Sequence, residues 1–167
     1  LHDPVKGLRL GLQGLRQGRR RKRRLLAKVR EVLARMRVIV EQARSGALRG
    51  ATGKSVRSFV NIGIGGSDLG PRMLTLALRA YWGGGPEVRF VANADPSDIE
   101  AALRGLDPET TFFIVTSKTF TTEETMENAR SARLWLEGAL PAGADAGAQF
   151  IGVTASVERA HAFGIGI

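Results

Sequence analysis

Between Thr116 and Thr125 the chain reads Thr-Ser-Lys-Thr-Phe-Thr-Thr-Glu-Glu-Thr, which crowds six hydroxyls and one ammonium into ten residues. Hydroxyls donate hydrogen bonds to anionic oxygens, and a lysine adds a point charge that suits phosphate. If the stretch opens a helix, free N–H groups and the positive end of the helix dipole face the same ligand. The chemistry favoured is capture of a dianionic phosphate. Ordinary helix capping is the competing explanation, since Thr121 and Glu124 have capping-box spacing. Glu124 is therefore read as a capping residue and Glu123 as a surface residue, neither as a general base.

A second cluster is Asn61-Ile62-Gly63-Ile64-Gly65-Gly66-Ser67-Asp68-Leu69-Gly70-Pro71. Glycines let the backbone pass close to a ligand, Ser67 offers a hydroxyl, and Pro71 suits the opening turn of a helix. An anionic or polyhydroxylated ligand fits. The cluster lacks both the G-x-G-x-x-G spacing with a following acid and the Gly-Lys-Ser/Thr of a P-loop, so a nucleotide is not the leading ligand.

These clusters need elements to position them. Residues 58–64, 88–93, 111–116 and 149–154 are short, apolar and rich in Val, Ile and Phe, which predicts buried strands. Residues 70–82, 96–105 and 122–139 separate them and are long enough for helices. Asp95-Pro96-Ser97-Asp98 carries an N-cap acid, a proline at the first helical position and an acid in the first turn. Strand and helix alternating at this spacing imply right-handed βαβ crossovers and a parallel sheet covered on both faces. Both clusters then fall at the C-terminal ends of strands, where open α/β sheets bind ligands.

Upstream, Leu25, Val29, Val32, Leu33, Met36, Ile39, Val40 and Ala43 recur at helical spacing and predict an amphipathic helix. Residues 1–24 carry Gly7, Gly11, Gly14 and Gly18 and end in Arg19-Arg20-Arg21-Lys22-Arg23-Arg24, which reads as a solvated, disordered basic arm. The chain thus divides into an arm (1–24), a helix and connector (25–50) and an α/β domain (51–167).

The net charge of +9 over 167 residues is unevenly spread. Residues 1–54 hold 16 Lys/Arg against 3 Asp/Glu, whereas the rest holds 9 against 13. Only the front could attract nucleic acid. There are no cysteines and only two histidines, His2 and His161, so disulfides, thiolate catalysis and a histidine zinc site are not expected, nor is any other metal or cofactor. No apolar stretch approaches the ~20 residues that span a bilayer, and no secretory signal is evident. The expectation is a soluble, cytoplasmic protein that makes no membrane contact.

The residues Asn61–Pro71, Ala92-Asn93-Ala94-Asp95-Pro96 and Ser117–Thr125 resemble the first half of the glucose-6-phosphate isomerase catalytic core. Ser-Lys-Thr-Phe-Thr-Thr-x-Glu-Thr is specific to that family. The similarity runs from about Gly50 to Gly164, and Val29–Gly53 is similar to the helix and loop before it. The resemblance implies a three-layer αβα sugar isomerase domain with a five-stranded parallel sheet, of which four strands are visible, so that the domain is truncated at its C-terminus. It implies that Ser117, Lys118, Thr119 and Thr122 grip the substrate phosphate and that Gly66 and Ser67 line the sugar. It further implies interconversion of glucose 6-phosphate and fructose 6-phosphate in glycolysis and gluconeogenesis, and a homodimer for the full-length enzyme.

In that family a glutamate moves a proton between C1 and C2, an arginine steadies the enediolate, and a histidine and a lysine serve ring opening. Their counterparts belong downstream of the segment resembling Ala162-Phe163-Gly164-Ile165, after a Gly-Gly-Arg-Tyr-Ser run that does not occur here. No catalytic residue is assigned, the fragment alone is expected to be inactive, and His161 reads as structural or exposed. The competing reading is a non-catalytic sugar-phosphate-binding regulator whose basic arm binds nucleic acid. Against it, residues 1–45 hold one convincing helix and no helix-turn-helix pair.

Overall fold

Four short runs of β-branched and aromatic residues pair into one parallel sheet in the order β2-β1-β3-β4. The strands are β1 (Ser58–Ile62), β2 (Glu87–Val91), β3 (Thr111–Thr116) and β4 (Phe150–Val153), and each lies within or one residue from its predicted segment. The computed structural model describes residues 4–166, with side chains from Arg21 onward. Contacts divide the chain into Leu1–Glu41 and Gln42–Ile167. Among the described residues no helix is long and apolar enough to cross a membrane.

The described residues of the first unit belong to α1 (Pro4–Ser45), a 42-residue helix. It begins well before Leu25, so residues 4–24 are helical where a disordered arm was expected. Leu, Arg, Lys and Gln are strong helix formers, and extending an existing helix costs far less than nucleating one.

In the second unit the register sorts side chains between two faces. Val60 and Ile62 of β1 stand beside Phe113 and Val115 of β3, with Val91 and Phe150 on the flanking strands. All six are fully buried. They pack beneath α3 (Pro96–Leu103), α4 (Glu123–Ala139) and α5 (Val157–Ala162), through Ile99, Ala102, Ala129, Ala132, Leu136 and Ala160. Small alanines let α4 lie close to the sheet, and Phe113 stacks on Phe150 with centroids 5.2 Å apart. On the opposite face Phe59, Phe112 and Ile151 meet Ala43, Leu48 and Val56. That face also carries α2 (Gly66–Ala77), whose Arg72 guanidinium lies over the Phe90 ring at 5.1 Å. Helices on both faces of a parallel sheet give the expected three-layer α/β architecture.

The crossovers set a topological switch point between β1 and β3. The helix that follows β1 passes over one face and the helix that follows β3 passes over the other, although β1 and β3 are neighbours. Their loops diverge at the C-terminal edge, which is the switch-point geometry that binds ligands in open α/β sheets.

Candidate functional site

The loop after β1 turns at Gly63, where a Cβ would lie 2.8 Å from the Ser67 Cβ and 3.0 Å from the Ser67 carbonyl oxygen. Gly65 has φ +61°, a conformation that favours glycine. The helix then starts at Gly66, earlier than the predicted Gly70, so Pro71 lies inside it rather than in its opening turn. A proline cannot donate to the carbonyl four residues back, here that of Ser67. Asn61 resolves this, because its Nδ2 donates to that carbonyl at 3.1 Å. The buried Asp68 carboxylate accepts two nitrogens of Arg72 at 2.9–3.1 Å and so is tied to its own helix.

Asn61 also joins the two loops. Its Oδ1 accepts from Thr116 Oγ1 at 3.1 Å, which fixes the end of β1 against the end of β3. Gly66 and Ser67 therefore stand beside the loop that begins at Ser117. An added Cβ at Gly66 would meet no heavy atom within 4 Å. Gly66→Ala should leave folding unchanged or strengthen it by up to about 1 kcal/mol, because alanine favours helix. If Gly66 lines the sugar, the same methyl group should weaken hexose 6-phosphate binding roughly tenfold by displacing the ligand. Parallel urea melts and calorimetric titrations check this, and unchanged affinity removes Gly66 from the site.

The second loop departs from the capping expectation. The N-cap of α4 is Thr122, not Thr121, and no side chain caps the helix. The Thr122 hydroxyl instead meets Ser117 Oγ at 3.1 Å, and Thr119 and Thr121 hydroxyls pair at 2.7 Å. Ser117 is buried while Lys118, Thr119, Thr121 and Thr122 are exposed. Among the described residues no carboxylate pairs with Lys118. Hydroxyls held in pairs, an ammonium without a carboxylate partner and a helix start with no side-chain cap together form a donor-rich surface. Glu123 and Glu124 are exposed in the first turn of α4, and His161 is exposed on α5.

The third loop acts as a support. Asp95 caps α3 as expected, accepting from the Ser97 N–H at 2.9 Å. Hydrogen bonds from the Ser97 amide and hydroxyl hold its carboxyl below the usual carboxylate range. Asp98 accepts from the N–H groups of Ala92 and Asn93, and Asn128 of α4 donates to the Asn93 carbonyl at 2.8 Å. All three loops along this edge are thus braced by side chains. Sequence reasoning placed Asn61 in the first loop without giving it a role, and it missed Asn128 and Arg159. Arg159 of α5 donates to the Thr119 carbonyl at 3.0 Å, across 40 residues of chain, and no local pattern marks it.

A sequence model described as phosphoglucose isomerase matches residues 19–167. Over 126 residues the chain is 53% identical to glucose-6-phosphate isomerase 1 of Rhodococcus jostii, covering 75% of this chain and 23% of that protein. It is 55% identical over 126 residues to glucose-6-phosphate isomerase of Frankia casuarinae, covering 75% and 22%. Among solved structures, a glucose-6-phosphate isomerase from Chlamydia trachomatis aligns with TM-score 0.55 and 33% identity, over 59% of this chain and 19% of that one. A hypothetical protein from Thermus thermophilus aligns with TM-score 0.57 and 33% identity, over 67% and 26%. The chain therefore spans about a quarter of the length of the curated relatives it matches.

Proposed function

The chain belongs to the phosphoglucose isomerase family, and from that premise we propose that it forms the phosphate-gripping part of an isomerase interconverting glucose 6-phosphate and fructose 6-phosphate. The observation that carries this reading is the Ser117–Thr122 loop, whose hydroxyls pair with one another at the switch point of the sheet instead of capping α4. In this reading Ser117, Lys118, Thr119 and Thr122 hold the phosphate. Gly66 and Ser67, fixed alongside by Asn61, line the sugar. The phosphate anchors the substrate so that groups elsewhere can work on C1 and C2, which is the usual use of binding energy from a non-reacting part of a substrate.

The resemblance gives those proton-moving groups no counterpart among these 167 residues. The chain alone should bind a hexose phosphate without converting it. The full-length enzyme is proposed to be a cytoplasmic homodimer acting in glycolysis and gluconeogenesis. Titrating glucose 6-phosphate into the labelled chain should shift and saturate the amide signals of residues 117–122 and of Gly66 and Ser67. Shifts confined to other regions would remove the site assignment. In a coupled assay the purified chain should show no isomerisation above background, and clear turnover would refute the division between binding and proton transfer.

A further inference from the structure

The loop just described does not hold its own shape. Phe120 has φ +55°, a left-handed conformation that costs an aromatic residue about 1–2 kcal/mol and persists only where its surroundings enforce it. One enforcing contact is the Phe120 ring, which is buried and packs edge-on against Phe163 at 6.0 Å. Others come from the segment that joins β4 to α5 and from α5 itself. Ala155 N–H and Thr154 Oγ1 donate to the Lys118 carbonyl at 3.0 and 3.2 Å. Arg159 Nη1 donates to the Thr119 carbonyl at 3.0 Å.

The consequence is directional. In a trans peptide the carbonyl and the following N–H point opposite ways, so a Lys118 carbonyl held by the β4–α5 segment turns the Thr119 N–H away from it. The Thr119 N–H has no acceptor among the described residues, whereas the Phe120 N–H returns to the Ser117 carbonyl at 3.2 Å. Arg159 is exposed and no carboxylate among the described residues pairs with it. It therefore brings an uncompensated positive charge to the loop as well as a hydrogen bond.

Resting on the phosphate reading of this loop, we propose that Arg159 is a positioning residue of the anion site. Through the Thr119 carbonyl it fixes the peptide that follows the Thr119 amide, completing the hold that Thr154 and Ala155 exert on the peptide before it, and its charge reinforces that of Lys118. A cation on α5 thereby couples the fourth strand-to-helix connection to a site built from the first and third.

The test is titration of inorganic phosphate into the full chain, comparing wild type with Arg159→Gln, Arg159→Lys and Lys118→Ala. Arg159→Gln should weaken binding about tenfold, the range for losing one charge-assisted contact. Its urea midpoint should fall only slightly, because the hydrogen bond it loses is exposed. Arg159→Lys keeps the charge and one donor and should recover most of the affinity. The amide signal of Phe120, whose peptide carries the carbonyl that Arg159 holds, should move in ligand-free Arg159→Gln but change little in Lys118→Ala. If Arg159→Gln binds like wild type, or if Arg159→Lys is as weak as Arg159→Gln, the role of Arg159 is refuted while the phosphate site stands. If wild type binds no phosphate, both readings fall together.

Discussion

Replacing Lys118 with alanine should lower the affinity for inorganic phosphate and for hexose 6-phosphates by about ten- to a hundredfold, which corresponds to a lost hydrogen bond to a charged group of roughly 1.5–3 kcal/mol. The effect should fall on binding alone. Lys118 is exposed and pairs with no carboxylate among the described residues, so its removal breaks no ion pair and leaves no buried group without a partner. Hydrogen bonds from the β4–α5 segment reach the Lys118 carbonyl and not its side chain, so the loop should keep its course.

Two further signatures distinguish a phosphate contact from a general surface effect. Wild-type affinity should fall with added salt, and the fall should be shallower in Lys118→Ala because one charge fewer is screened. Affinity should also rise between about pH 5 and 7, as a phosphate monoester passes its second pKa near 6 and gains charge. Calorimetry across a salt and pH series measures all three. Equal affinities for wild type and Lys118→Ala would exclude the loop as the phosphate grip.

The features read correctly from the sequence are those with local causes. Runs such as Thr111–Thr116 are too apolar and β-branched to be anything but buried strand, and Asp95-Pro96 carries its own helix-start chemistry. The family motif located both loops, because its residues are contiguous. What the sequence concealed depends on specific side-chain partners, some a few residues away and others distant along the chain. The early start of α2 is tolerated because Asn61 supplies the donor that Pro71 cannot, and nothing local announces that exchange. Thr121 and Glu124 have capping-box spacing, yet the Thr122 hydroxyl turns to Ser117 because the loop is folded back over itself. Arg159 reaches the loop from α5, and the left-handed Phe120 follows from a ring buried against Phe163, a contact across 43 residues. The basic run before Leu25 looked too repulsive for helix, but its neighbours favour helix and α1 continues through it.

Gln149 presents the same limit in its largest energetic form, and its replacement by leucine should cost about 3 kcal/mol or more. The residue stands just before β4 and, within an otherwise apolar run, reads as part of a strand. Its side chain is fully buried. Nε2 donates to the carbonyls of Pro108 and Thr111 at 2.7 and 2.6 Å, and Oε1 accepts from the Ala51 N–H at 3.1 Å. One amide thus joins the connector before β1 to the chain entering β3 and β4, at the edge of the sheet opposite the Ser117–Thr122 loop. The fit is close, since a Cβ on Gly50 would lie 2.6 Å from the Glu109 carbonyl oxygen and 3.0 Å from Gln149 Oε1. Leucine keeps much of the volume but strands two acceptors and a donor, each costing about 1–3 kcal/mol when left without a partner. Against a typical total of roughly 5–15 kcal/mol, that is a large fraction. Urea unfolding should show a lower midpoint at constant slope, with phosphate affinity of the folded fraction unchanged. Gln149→Glu sharpens the test. A buried carboxylate facing two carbonyls would have a raised folded-state pKa, so this variant should lose more stability at pH 7 than near pH 4, where the side chain is protonated and can still donate. A loss below about 1 kcal/mol in Gln149→Leu would show that these hydrogen bonds are readily replaced and that the three segments are held by packing alone.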